Sequence, residues 1–321
     1  MDLRVLGKSG IEVNPMGLGL WAAGGSDWGP SDDDEILSVV DAALDAGINL
    51  FDTADVYGNG HSEDLLGRAI QGRRERFIVA TKIGWKGFDR DQNRTQYDTV
   101  EKVVSAVEEN LHRLRTDYID VIQNHINFRD STMEVVREGF QRLQEQGKVR
   151  AYGVSTSDFE YLQEFNSDGK CSTLQVDYSI LNRTPEEDVL PYCQANGIGV
   201  LVRGPLAMGI LADKFTPEST FAEGDFRRNW QTNEDEREVF FSDLQRVEEL
   251  RLLAKGKSMA QLALQFALAH PAVTTVIPGA RNLNQLTQNV QATQSPELTT
   301  EDQLAINRVI PPGGGRKIWP A

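Results

Sequence analysis

Short apolar runs rich in Val, Ile, Leu and Phe recur along the chain, bounded by Gly, Asp and Asn. Runs of this length and composition read as strands. They predict strands near 15–19, 48–52, 77–82, 118–124, 149–154, 173–177, 198–202 and 274–277. Between them, 33–46 (DDEILSVVDAALDA) and 97–113 (YDTVEKVVSAVEENLHR) carry apolar residues at helical spacing. Gly47, Gly147 and Gly197 each stand between a helical stretch and a strand, where glycine commonly stops a helix. Strands that alternate with helices imply parallel βα units. Eight such units without an intervening linker predict an α/β fold, a (β/α)8 TIM barrel spanning residues 1–321 as one domain.

Two stretches break the alternation. The start reads as an N-terminal β-hairpin turning at Gly7 to Gly10, placed as a plug under the barrel. Residues 205–240 form a long connection, rich in aromatic and charged residues, after the seventh strand. Such length exceeds what a simple link needs. The tail PPGGGRKIWPA has too much Pro and Gly for regular structure.

Composition narrows the function classes. The 321 residues carry 33 Lys plus Arg against 48 Asp plus Glu, a formal charge of −15. A surface this acidic argues against nucleic acid or an anionic membrane as partner, because both need a basic face. Cys171 and Cys193 are the only cysteines; they make no disulfide framework, and no Cys/His spacing suits a metal. The start lacks the apolar stretch of a signal peptide, and no apolar run approaches a membrane span. A cytoplasmic protein is the expectation.

In a barrel, reactive residues gather at the C-terminal ends of the strands. The second strand ends in NLFDTADVYGNG, placing Asp52 at its tip and Tyr57 in the following Gly-rich turn. The third, FIVATK, ends in Lys82, and the fourth, DYIDVIQNH, in His125. Singly, these residues have ordinary explanations: a capping Asp, a packing Tyr, a snorkelling Lys. His61, His112 and His270 fall at or on helices, so His125 is the histidine at a strand tip. Together the four make chemical sense. A phenol has a pKa near 10, which a neighbouring ammonium lowers, while a carboxylate holds that ammonium charged. The expected result is a tyrosine able to protonate a developing alkoxide, with His125 orienting a carbonyl oxygen.

The FDTAxxYG, TK and QxH elements, in this order and spacing, resemble the aldo-keto reductases over nearly the whole chain. The resemblance implies an NADPH-dependent oxidoreductase that transfers a hydride to a small-molecule aldehyde or ketone. Asp52, Tyr57, Lys82 and His125 match the family's catalytic tetrad, with Tyr57 as general acid. It also implies cofactor contacts. Gly19 and Trp21 match positions near the nicotinamide. Ser155 and Thr156 in GVSTSDF match a carboxamide-binding Ser-Asn pair, with Thr replacing Asn. Gln175 matches a glutamine that reaches the same carboxamide. In LVRGPLAMGIL, Gly204, Pro205, Leu206 and Gly209 match a segment along the pyrophosphate, and Arg203 stands where most members stack an aromatic. In TTVIPGARNLNQLTQN, Gly279 and Arg281 match the grip on the 2′-phosphate, with Gln285 and Asn289 facing adenosine. Backbone amides at a helix start and a bidentate guanidinium suit that task.

Trp28, Trp85 and Phe128 follow strand tips and are candidate substrate contacts, with Trp319 in the tail. A monomer or weak oligomer is expected. GLGLWA at 17–22 fits the dinucleotide fingerprint, but a loop follows it rather than the helix that fingerprint requires. Gly7-Lys8-Ser9 reads as a turn, and Asp32 to Glu35 as charge at a helix start. Two rival functions keep the same fold. One is a redox-sensing or interaction module with slow turnover, as in ion-channel β subunits of this family. The other is an aldolase using Lys82 as a Schiff base, which leaves Asp52 and Tyr57 without their roles.

Overall fold

The computed structural model describes residues 2–25, 27–84, 88–89, 94–95, 97–125, 132–252, 256–294 and 297–317. Eight parallel strands form one sheet in sequential order. We number them β1 (Leu18–Gly19), β2 (Leu50–Asp52), β3 (Ile78–Ile83), β4 (Ile119–Asn124), β5 (Val149–Ser155), β6 (Thr173–Asp177), β7 (Gly199–Arg203) and β8 (Val273–Val276). The sheet curls until its ends meet: Gly17 N–H donates to Val276 O at 2.8 Å, and Gly19 N–H to Pro278 O at 3.1 Å. Each predicted strand has its counterpart. The first is shorter than expected, because residues 15–17 pair with β8 only through an isolated bridge at Met16, and the second begins at Leu50.

Helices cover the outside. The acidic start at 32–35 is a helix cap, with Asp32 accepting from Glu35 N–H at 2.9 Å and α1 running Asp33–Asp45. The helix expected from residue 97 begins at Val100, since Thr99 caps it through Lys102 N–H. Gly47, Gly147 and Gly197 sit at φ +89°, +74° and +63°, the left-handed conformation of a helix stop. Among the described residues, no helix is long and apolar enough to cross a membrane.

Strand residues alternate between the barrel interior and the helix layer, as a period of two requires. Phe51, Val79 and Ile122 pack outward into the large core under the helices. Leu50, Ala80, Val121, Ala151 and Leu201 point inward and form a small separate core. Two residues further along several of these strands come Asp52, Lys82, Gln123 and Arg203. The same interior face is therefore apolar below and polar above.

The lower end is closed by the hairpin. Its strands pair Arg4 with Val13 and Val5 with Glu12, and Leu6, Ile11 and Val13 complete the inner apolar core. Lys8 N–H donates to Gly197 O at 2.7 Å, at the foot of β7. Above the other end lies the long connection. Phe215, Phe221, Trp230 and Phe240 pack edge to face or stacked at centroid distances of 5.2–6.4 Å. The connection is tied to the loop after β1 by Phe226 N–H donating to Asp27 O at 2.9 Å.

Gly7 tests the plug. Its φ is +54°, and a Cβ would lie 2.2 Å from Gly199 N and 2.5 Å from Gly197 O, both backbone atoms. Gly7→Ala should therefore destabilise the fold by about 2–4 kcal/mol, combining an overpacked contact with left-handed strain. Urea unfolding followed by circular dichroism measures this; a loss below about 1 kcal/mol would mean the hairpin is only loosely seated.

Candidate active site

Lys82 is fully buried, and its Nζ is surrounded by oxygen. It donates to both carboxylate oxygens of Asp52 at 2.9 Å, to Thr53 O at 2.8 Å and to Tyr57 Oη at 3.3 Å. Strand geometry produces this cluster. Asp52 stands opposite Ala80 in the β2–β3 ladder, two residues before Lys82, and Lys82 stands opposite Gln123 in the β3–β4 ladder, so all three lie on the inward face, where the Lys82 side chain reaches Asp52. Tyr57 comes back over this layer from the turn Tyr57–Gly60, where Gly58, Asn59 and Gly60 take positive φ. A Cβ on Gly58 would strike the backbone of Gly24 at 2.1 Å, so glycine lets the two loops touch. His125 follows β4 and meets the Tyr57 ring edge-on at 5.7 Å.

Burial dominates the electrostatics. It pulls Lys82 toward deprotonation, yet the charges and hydrogen bonds of Asp52 and Tyr57 together outweigh it and the ammonium is held. Burial pushes the Asp52 carboxyl up, against the pull of Lys82. Burial also drives His125 well below its usual range, helped by the charges of Lys82 and Arg203, so the imidazole is neutral near pH 7. Tyr57 differs from expectation. Its pKa is raised, because loss of solvent outweighs the attraction of Lys82. The phenol is therefore fully protonated at neutral pH. Lys82 lessens the cost of its anion rather than making it acidic in the resting state.

Behind the cluster, a polar network fixes its parts. Gln175 Nε2 donates to Asp52 Oδ1 at 2.8 Å and to Gln123 Oε1 at 3.2 Å. Asn110 Nδ2 donates to Lys82 O at 3.2 Å. Gln123 is the glutamine of the QxH element, whereas Asn110, a buried amide on a helix, has no distinguishing pattern in the sequence.

Asp52, Tyr57 and His125 form one end of a cavity of about 720 Å³, a volume typical of small-molecule sites. Every residue matched above to cofactor contacts lines this cavity, as does Trp28. Trp21 stacks on Tyr57 at 5.8 Å and on Phe226 at 5.5 Å, and Trp28 meets Trp21 edge-on at 5.3 Å. Trp85, Phe128 and Trp319 lie outside the described residues. Near Ser155, Thr156 Oγ1 accepts from Asp158 N–H, while Asp158 itself caps the helix Phe159–Phe165. Arg203 donates to Ser157 Oγ at 3.1 Å.

The far end is cationic. The Arg281 guanidinium donates to Trp28 O at 3.0 Å and also to Pro30 O, tying the loop after β1 across the cavity. Gln285 accepts from Arg281 N–H at 2.8 Å, and Asn289 donates to Gly279 O at 3.3 Å. These two amides thus brace the loop that carries Arg281. Lys214 and Arg227, which the sequence did not single out, also line the cavity. Arg227 is paired with Asp225 at 2.5 Å. Burial and the nearby charges of Arg227 and Arg281 lower the Lys214 pKa. Their common signal is the basic content of the 205–240 connection, which has no period to assign it. Among the described residues, Lys214 and Arg281 make no ion pair, and the Asp225 carboxylate that acts on Lys214 is itself paired with Arg227, so positive charge predominates at this end. No group of three His, Cys, Asp or Glu among the described residues could hold a metal ion.

The family model for the Aldo/keto reductase family matches residues 15–311. The chain belongs to this family. The Aldo-keto reductase YhdN from Bacillus subtilis is 38% identical, covering 97% of this chain and 94% of that relative. The NADH-specific methylglyoxal reductase of Escherichia coli is 33% identical over 89% of this chain and 92% of its own. The glycerol dehydrogenase AKR11B4 from Gluconobacter oxydans superposes with a TM-score of 0.82 at 32% identity, covering 100% of this chain and 98% of that one. An aldo-keto reductase from Klebsiella pneumoniae solved with NADPH gives 0.71 at 26% identity, with 97% and 96% coverage. Membership accounts for the oxidoreductase class.

The neutral, buried His125 yields a pH test. Unfolding returns its imidazole to a pKa near 6.5, so its contribution to stability is present above that pH and is lost as pH falls. Wild-type protein should lose about 1.4 kcal/mol per pH unit below 6.5 relative to His125→Phe. Parallel urea titrations at several pH values measure this; identical pH slopes for the two proteins would refute a neutral buried imidazole.

Proposed function

We propose that the protein is an NADPH-dependent reductase of an aldehyde or ketone, with Tyr57 as general acid. The observation that carries this is the buried Asp52–Lys82–Tyr57 chain, opening beside neutral His125 onto a cavity whose far end is positive. The cavity suits a dinucleotide phosphate in charge: hydroxyls and amides of Ser155, Thr156 and Gln175 lie at the tetrad end, and Lys214 and Arg281 at the other. When bound there, NADPH supplies the hydride. The chain's residues do the rest. His125 donates a hydrogen bond that orients the substrate carbonyl, and Trp21 and Trp28 pack against the substrate and exclude water. Tyr57 gives its Oη proton to the oxygen as it becomes an alkoxide. Lys82, charged because Asp52 holds it so, stabilises the phenolate left behind. An alkoxide is far more basic than a phenolate, so a raised phenol pKa still permits transfer.

Arg281 and Lys214 support NADPH over NADH, since an ionised donor favours the extra phosphate. The NADH-specific relative from Escherichia coli marks the competing outcome.

Tyr57→Phe should lower kcat for aldehyde reduction by about 10²–10⁴-fold, the usual worth of a positioned acid. Cofactor binding, followed by fluorescence titration, should change little. Undiminished turnover in this variant would refute the assignment. Arg281→Ala should weaken NADPH binding about tenfold or more, the worth of one charge-assisted contact, and NADH binding far less. Equal losses for both cofactors would remove the 2′-phosphate role.

A further inference from the structure

Arg203 is a second cation at the catalytic end. It closes β7, and the ladder places it opposite Asp177 on β6. Its guanidinium is oriented by Ser157 Oγ at 3.1 Å, and it lines the cavity beside Asp52, Tyr57 and His125. Gly204 immediately after it turns the chain at φ +60°, where a Cβ would lie 2.9 Å from Asp177 Oδ1. The turn therefore keeps Arg203 and Asp177 together.

We propose that Arg203 is a positioning residue for proton transfer, sharing with Lys82 the electrostatic stabilisation of the Tyr57 phenolate. Its charge acts on three groups of the site: it lowers the pKa of Asp52, of Tyr57 and of His125. The other charges facing them come from identifiable elements. Asp52 and Lys82 stand on β2 and β3. Asp177 faces Arg203 from β6. Asp158 lines the cavity beside Ser157, and Lys317 of the tail donates to Ser157 O at 3.1 Å. Within this set Lys82 is already held by Asp52, whereas the carboxylate acting most on Arg203 is Asp177, its ladder partner on β6, whose Oδ2 accepts from Asn182 Nδ2 at 2.8 Å. Neutralising either member of the Arg203–Asp177 pair changes the field at Tyr57 without touching the Lys82 contacts. The proton leaves Tyr57 Oη for the substrate oxygen, and the negative charge left on Oη meets Lys82 in contact and the charge of Arg203 from the wall of the same cavity.

Because this role presupposes the carbonyl reduction proposed above, two readouts separate the two. The first is the pH profile of kcat for reduction with NADPH. Activity needs neutral His125 at the acid limb and protonated Tyr57 at the alkaline limb. Arg203→Met removes a positive charge, so both pKa values rise and both limbs should move upward, by about half to one pH unit for one charge at intermediate dielectric. Asp177→Asn removes the opposing charge and should move both limbs downward. Arg203→Lys should restore the wild-type positions. The second readout needs no cofactor. The tyrosinate absorbance step present in wild type and missing in Tyr57→Phe should shift upward in the Arg203→Met protein. Limbs and step that stay in place in Arg203→Met would overturn the proposal, even with activity intact. Absence of carbonyl reduction in wild type would overturn the proposed function instead, leaving the tyrosinate arm to decide on Arg203. Where Arg203→Met fails to fold, unmoved limbs in Asp177→Asn give the overturning result.

Discussion

An ammonium with no exposed surface is the constraint around which the upper half of this barrel is built. Moving a lysine charge out of water costs several kcal/mol even after relaxation, and only close, fully hydrogen-bonded partners offset it. Lys82 has four oxygen acceptors within 3.3 Å. Each must be held in turn, so the requirement spreads. Asp52 is fixed by Gln175, and Gln175 by Gln123, which donates to Thr173 Oγ1 at 3.2 Å. The carbonyl of Lys82 itself is fixed by Asn110 from a helix. A residue at the centre of the proposed chemistry is thus also the one whose burial orders three strands and a helix around it.

Such a layer can exist only above an apolar floor. Successive inward positions on a strand are two residues apart, so Leu50 lies beneath Asp52, Ala80 beneath Lys82 and Leu201 beneath Arg203. The floor is small. It is completed by Leu6, Ile11 and Val13 from the hairpin, which keeps water from reaching the ion pair through the barrel's lower end. A stabilising plug and a polar site are therefore two consequences of one alternation, and loosening the first weakens the electrostatics of the second.

Much of this is legible in the amino-acid sequence. The eight strands, the hairpin and the helix stops follow from period and glycine placement, because those signals are local. The cluster of Asp52, Tyr57, Lys82 and His125 is legible because Asp52, Lys82 and His125 fall at strand ends, and a strand end in a barrel has a known destination. Three things are not. The raised pKa of Tyr57 depends on how completely solvent is removed, which no spacing encodes. The links of Gln123 to Gln175 and of Asn110 to Lys82 join residues 52 and 28 positions apart, and neither the QxH element nor the helix pattern encodes which partner each amide meets. Lys214 and Arg227 sit in a connection held by aromatic contacts rather than by a repeating pattern, so the sequence assigns its basic residues to no face.

Net charge takes on a different meaning beside these details. A chain carrying −15 overall offers a polyanionic dinucleotide no general attraction, and the Debye length of about 8 Å at physiological salt limits the repulsion from its exposed charges to short range. Inside the cavity that sum is irrelevant. Lys214 and Arg281 carry charge with no carboxylate paired to it among the described residues. Arg203 and Lys82 present theirs where low polarisability strengthens it. Selectivity between a dinucleotide with and without an added phosphate is then a local matter, decided within contact distance of two side chains. Raising the salt concentration should accordingly screen the repulsion from the acidic exterior more than the attraction within, since buried and partly buried charges are screened least.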